Sequence, residues 1–200
     1  MHDQKIPNEI WKHCSEKADG YSGNDFIGLT ECEKKIVFDC LVLELPWQIE
    51  WLFFLDPKRA AIVAKKKEAE ERGTRHSHVY LIQKQLVNQC GEMKYQQHMI
   101  DDYYNYIDCL RPLGVDAIAQ TPRSSSSVNF FKHLILVESN EDALAGASVH
   151  FLNSMGFVRG AESEKKLYLL LLSQLRSDSH LVKISAIEYV LRNINLKQFN

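Results

Sequence analysis

The chain has 200 residues, 45% of them hydrophobic and 25% charged, a composition that excludes wholly disordered, collagen-like and membrane-embedded chains. With 24 Lys+Arg against 26 Asp+Glu the formal charge is -2, so no global positive field points to nucleic acid or to an anionic membrane surface. Only 9 Gly and 5 Pro are present, too few to punctuate a many-stranded sandwich or barrel, and the chain is predicted to be all-α.

Met1 to Asn8 is polar and charged, without the apolar stretch of a secretory signal, so a cytoplasmic location is expected. Asn8 to Ala18 reads as a short helix, and Tyr21 to Leu29 as a loop. Thr30 with Glu33 three residues later forms the sequence signature of a capping box, opening a helix that Pro46 ends or kinks. Trp47 to Leu55 is so dense in large apolar groups that it is expected to lie at least partly in the core. Asp56-Pro57 starts the next helix, because Asp caps and Pro at the first helical position sacrifices an N–H that had no partner. Ala60 to Ala64 form its packed face, Lys65 to Arg72 read as a solvated charged end, and Gly73 stops it.

Val79, Ile82, Leu86 and Val87 recur at helical spacing, Gly91 marks a break, and Met93 to Leu110 is expected to continue as one helix up to Arg111-Pro112. Leu113 to Gln120 is ambiguous. The run Thr121 to Ser127, Pro followed by serines, reads as a linker. The expected organisation is therefore an N-terminal helical part over 1–120, a Ser-rich linker over 121–127 and C-terminal hairpins over 128–200. In that last part, helices at Val128 to Glu138 and Glu141 to Met155 are followed by a second pair at Glu162 to Arg176 and Leu181 to Ile194. An offset of 39 residues pairs Ala147 with Ala186, Phe151 with Val190, Leu152 with Leu191 and Met155 with Ile194, small with small and large with large. A single hairpin has too little core to bury its own face, so stacked hairpins are expected.

A first helix, the Asp-bearing turn Arg176-Ser177-Asp178, and a second helix with Val182, Ala186 and Leu191 at recurring positions resemble the HEAT-type helical repeat over about residues 128 to 195. The resemblance implies an all-α chain of antiparallel helical hairpins, stacked as a short HEAT-like solenoid or as an irregular helical bundle.

Five cysteines (Cys14, Cys32, Cys40, Cys90 and Cys109) without a CxxC pair suggest neither a disulfide framework nor a zinc knuckle, and they are expected to be reduced and mostly buried. The most apolar stretch, Leu167 to Leu172, is far shorter than a bilayer span, so no membrane partner is expected. No nucleophile elbow, phosphate-cradling loop or His-Glu-x-x-His pattern is present, which argues against an enzyme. His76, His78, His98 and Asp102 supply the residue types for a metal-dependent or nucleic-acid-modifying enzyme, kept as an alternative, but their pattern matches no known ligand spacing. No metal, cofactor or nucleic acid is part of the favoured reading.

That reading rests on the segment Glu92 to Asp108, where Glu92, Asp101, Asp102 and Asp108 face Lys94 as the single basic residue. Asp101, Asp102 and Asp108 interleave with Tyr103, Tyr104 and Tyr106, an acidic aromatic pattern suited to a basic protein partner. Residues 159–200 are oppositely biased, with basic Arg159, Lys165, Lys166, Arg176, Lys183, Arg192 and Lys197 outnumbering their acids. A compact helical chain with such a patch and no catalytic motif resembles the immunity proteins with which bacteria neutralise a cognate toxin. The resemblance implies a non-enzymatic protein that binds a basic toxin domain through those six residues; a helical scaffold or adaptor is the alternative, and oligomeric state is left open.

Overall fold

A computed structural model describes residues 21–197 of the chain; the helix expected at Asn8 to Ala18, with Cys14, lies outside them. The described residues form α1 (Glu31–Leu43), α2 (Ile49–Leu55), α3 (Pro57–Glu71), α4 (Val79–Cys90), α5 (Lys94–Asp102), α6 (Arg111–Ala119), α7 (Ser125–Val137), α8 (Glu141–Ser154), α9 (Glu162–Leu175) and α10 (His180–Lys197). No strand occurs among them, and the all-α expectation is met.

The capping chemistry works as the sequence requires. The Thr30 side chain accepts from the Glu33 N–H while the Glu33 carboxylate takes the Thr30 N–H at 2.8 Å, and Asp56 accepts from the Arg59 N–H with Pro57 in the first turn. Gly73 and Gly91 follow α3 and α4 in the left-handed region, at φ 79° and 71°.

On α3 the buried stripe is Ala60, Ala64 and Glu68, each four residues from the last. The two alanines bring α4 close, and Glu68 continues the same face into the core at 4% exposure. The charged end expected to be solvated is therefore solvated on one side only, and Ile62, expected to pack, is 71% exposed. Trp47 and Phe54, expected in the core with the rest of their segment, are 60% and 57% exposed, while Ile49, Leu52 and Phe53 of the same stretch are buried. Trp47 instead stacks on His78, with ring centroids 4.3 Å apart.

The serine run differs most from its sequence reading. Ser124 caps α7, accepting from the Ser127 N–H, and Ser125 to Ser127 form the first turn. The Gln96 amide, on α5, donates to Thr121 Oγ1 and to the Pro122 carbonyl, and Ser124 Oγ donates to Gln96 Oε1. Capping serves the serines better than a linker does, since their hydroxyls satisfy helix-end N–H groups. Helix α6 packs on α8 across this point, and Gly146 permits the approach: a Cβ there would lie 3.3 Å from Val115 Cγ1. One continuous apolar cluster extends from Phe26 to Val190.

In the C-terminal part α7 packs on α8, α8 on α9, α9 on α10, and α10 returns to α7. Ala147, Phe151, Ala186 and Val190, aligned by the 39-residue offset, are all buried. The two hairpins thus bury each other's faces, an arrangement compatible with a helical repeat.

Candidate functional site

The segment expected to be one helix from Met93 to Leu110 breaks after Asp102. A 3-10 turn covers Tyr103–Asn105, Tyr106 is extended at φ -69° and ψ 142°, and a second 3-10 turn covers Asp108–Leu110. Beyond it Arg111-Pro112, expected as a helix end, begins α6, where Pro is tolerated because first-turn N–H groups need no intrahelical partner. Through this break Tyr103 and Tyr106, three residues apart, both face inward. Tyr103 is 0% exposed and Tyr106 2%, so two of the three tyrosines read as surface anchors belong to the core.

Tyr103 reaches a polar centre that the sequence did not reveal. Its hydroxyl donates to Glu138 Oε2 at 2.8 Å, and Glu138 Oε1 accepts the N–H groups of Ser139 and Asn140 at 3.0 and 2.9 Å. Arg111 Nη1 approaches the same oxygen at 3.4 Å and Asp108 Oδ1 at 3.2 Å. The buried carboxylate is fully served by donors, which is what makes an ionised side chain tolerable in the interior. Burial, and then the bond to Glu138, push the Tyr103 hydroxyl well above its ordinary range; burial does the same to Tyr106, helped by Asp102.

Tyr104 lies on this base and is the tyrosine that reaches solvent, at 50% exposure. Its ring meets Tyr103 edge-on at 5.0 Å and His133 of α7 at 6.4 Å, while the Arg111 guanidinium stands 5.8 Å from its centroid. Asp108, 80% exposed at its side chain, flanks Arg111, and Asp101 precedes Tyr104 by three residues in a helical stretch. The structure therefore leaves Asp101, Tyr104 and Asp108 at the surface and withdraws Tyr103, Tyr106 and most of Asp102.

Charge at the site is also redistributed. Arg72, at the end of α3, donates from Nε to Asp102 Oδ2 at 2.8 Å and lies 3.7 Å from Asp101, and the bond to Asp102 holds its guanidinium more firmly protonated. The three aspartates are thus each met by an arginine of the same chain, and the segment is less negative than its own composition. Arg72 lies 30 residues from Asp102 in sequence, so a local charge count misses it, and Arg111 stands just beyond the segment.

The histidines follow separate routes. His98 places Nδ1 2.8 Å from Glu68 Oε1, which also accepts from Gln83 Nε2 at 3.0 Å. His78 Nδ1 meets the Tyr80 hydroxyl at 2.7 Å, and His76 is exposed. Among the described residues no group of three or more His, Cys, Asp or Glu side chains could hold a metal ion. Cys32 and Cys109, expected to be buried, are exposed because each lies on the solvent side of its turn, while Cys40 and Cys90 are partly buried. No helix among the described residues is long and apolar enough to cross a membrane.

No protein-family model, no curated protein and no solved structure matches this chain. A functional reading therefore stands on the geometry alone.

Proposed function

We propose that the chain is a non-enzymatic protein that acts by stoichiometric binding to a basic protein partner, with Tyr104 as the anchor and Asp101 and Asp108 as flanking charges. One observation carries this reading: Tyr104 is half exposed yet already held by Tyr103, Arg111 and His133. A ring ordered before contact loses little freedom on binding, and a tyrosine with one apolar face and a free hydroxyl is the side chain most often found at the centre of tight interfaces. The flanking carboxylates would speed capture of a basic surface and set its orientation. A cognate toxin whose basic active site is covered in the complex is the partner this reading favours.

The test uses the full chain as bait against proteins of its native host, with recovered complexes sized by light scattering. A one-to-one complex with a basic protein, lost in Tyr104→Ala while the helical spectrum is retained, is the expected result. Recovery of the same partner by Tyr104→Ala, or of several partners at varying ratios, would replace it with the scaffold reading.

A further inference from the structure

We propose that the cleft between the end of α6, the first turns of α7 and the last turns of α8 is a binding site for a small ligand that carries an oxyanion on an apolar body. The cleft has a volume of about 300 Å³ and is lined by Ile118, Arg123, Phe131, His150, Asn153 and Ser154 among others, within the size range of small-molecule sites. It shares no residue with the Tyr104 surface, and the proposal is independent of the partner reading.

The walls are sorted by chemistry. Ile118 and Phe131, at 1% and 2% exposure, present an apolar floor against which a ring or short chain would lie. Arg123 stands in the α6–α7 connection, and among the described residues its guanidinium has no carboxylate partner; its polar contact is the Met155 thioether sulfur, 3.7 Å from Nη2. A thioether is a weak acceptor, which leaves the five-donor fork of the guanidinium largely unused. Elsewhere in the fold Arg59 pairs with Asp39, Arg72 with Asp102 and Arg111 with Glu138. An unpaired guanidinium beside an apolar floor matches a carboxylate or phosphate head, which it binds bidentately.

The rest of the rim sets orientation. Asn153 Oδ1 accepts from the Tyr168 hydroxyl at 3.3 Å, so its amide N–H groups are left to donate. His150 Nε2 lies 2.7 Å from Asp116 Oδ1, which fixes the orientation of the ring. Ser154 Oγ gives its proton to the Phe151 carbonyl at 2.7 Å and is left with acceptor capacity. Asp116, half exposed at its side chain, lies behind His150 rather than on the cleft wall. The site therefore offers donors for an anionic head at Arg123 and Asn153, and an acceptor for a hydroxyl or N–H at the α8 side.

Benzoate and phenyl phosphate, titrated separately into the full chain up to about 10 mM so that a millimolar Kd approaches saturation, give the test. Backbone and side-chain NMR shifts are followed. Saturable shifts confined to Arg123, Phe131, His150, Asn153 and their neighbours are expected with at least one probe; a response to only one identifies the oxyanion as carboxylate or phosphate. Arg123→Gln is expected to weaken binding at least tenfold, and Arg123→Lys, which keeps the charge and loses the fork, to weaken it by less. Both variants should melt as the parent does, since Arg123 is exposed. No saturable shift with either probe, or shifts unchanged in Arg123→Gln, would overturn the proposal.

Discussion

The Tyr103 hydroxyl and the Glu138 carboxylate, 35 residues apart in sequence, meet at 2.8 Å in the core and tie the end of α5 to the end of α7. Their bond holds Tyr103 in the core where the Tyr-rich segment passes from α5 into a 3-10 turn, while Tyr104 faces solvent against Arg111.

Removing one side of this pair should cost less than removing the other. Tyr103→Phe keeps the ring against Phe130 and leaves Glu138 with its two backbone donors and Arg111, so a loss of about 1–2 kcal/mol in urea unfolding is expected. Glu138→Ala strands the Tyr103 hydroxyl and the buried side of Arg111 together and should cost about 3 kcal/mol or more. Equal losses in the two variants would show that the carboxylate has no special place.

Within the charged run of α3, one glutamate should behave unlike its neighbours. Glu68→Ala leaves the Gln83 amide and the His98 ring without their shared acceptor, and a loss of about 2–3 kcal/mol is expected by chemical denaturation. Glu70→Ala, on the solvent side, should stay within about 0.5 kcal/mol of the parent.

Gly91 tests backbone conformation with no packing involved, since a Cβ there meets nothing within 4 Å while φ is 71°. Gly91→Ala should therefore cost about 1 kcal/mol from left-handed strain alone, and Gly91→Asn, which tolerates that region, distinctly less. Thermal melts of the two variants side by side decide the point.

Alkaline pH should unfold the protein through its buried tyrosines. Burial pushes Tyr80 from 10.0 up to about 12, and pushes Tyr103 and Tyr106 upward as well. Between 10.0 and about 12 the unfolded chain has released the Tyr80 proton that the folded chain still holds. The unfolded state then binds fewer protons, so unfolding free energy falls as pH rises. The contribution is complete below 10.0 and is lost as pH climbs through about 12. Urea midpoints measured at about pH 9 and about pH 11 should drop between the two. Equal urea midpoints at the two pH values would contradict the burial of these rings.

Helix identity and many helix starts follow from the sequence by itself, because capping and periodicity are chemistry between residues three or four apart: Thr30 with Glu33, Asp56 with Arg59, and Asn140 with Ala143 all form as the spacing requires. By the same spacing rule Glu68 continues the Ala60 and Ala64 stripe and shares their buried face. The candidate site was legible only in part. Composition located the segment from Asp101 to Asp108, but Tyr104 alone among its tyrosines reaches solvent, and the aspartates are offset by Arg72 and Arg111. Which side chains face inward, and which charges find partners, depends on contacts across about 30 residues of chain, such as Tyr103 with Glu138 and Arg72 with Asp102. Loop closure brings those groups together only when the whole core packs, and no local pattern encodes that outcome. The balance of -2 is likewise a sum whose meaning lies in the pairing: Arg59, Arg72 and Arg111 are met by carboxylates of the same chain, whereas among the described residues Arg123 stands at its apolar cleft without one.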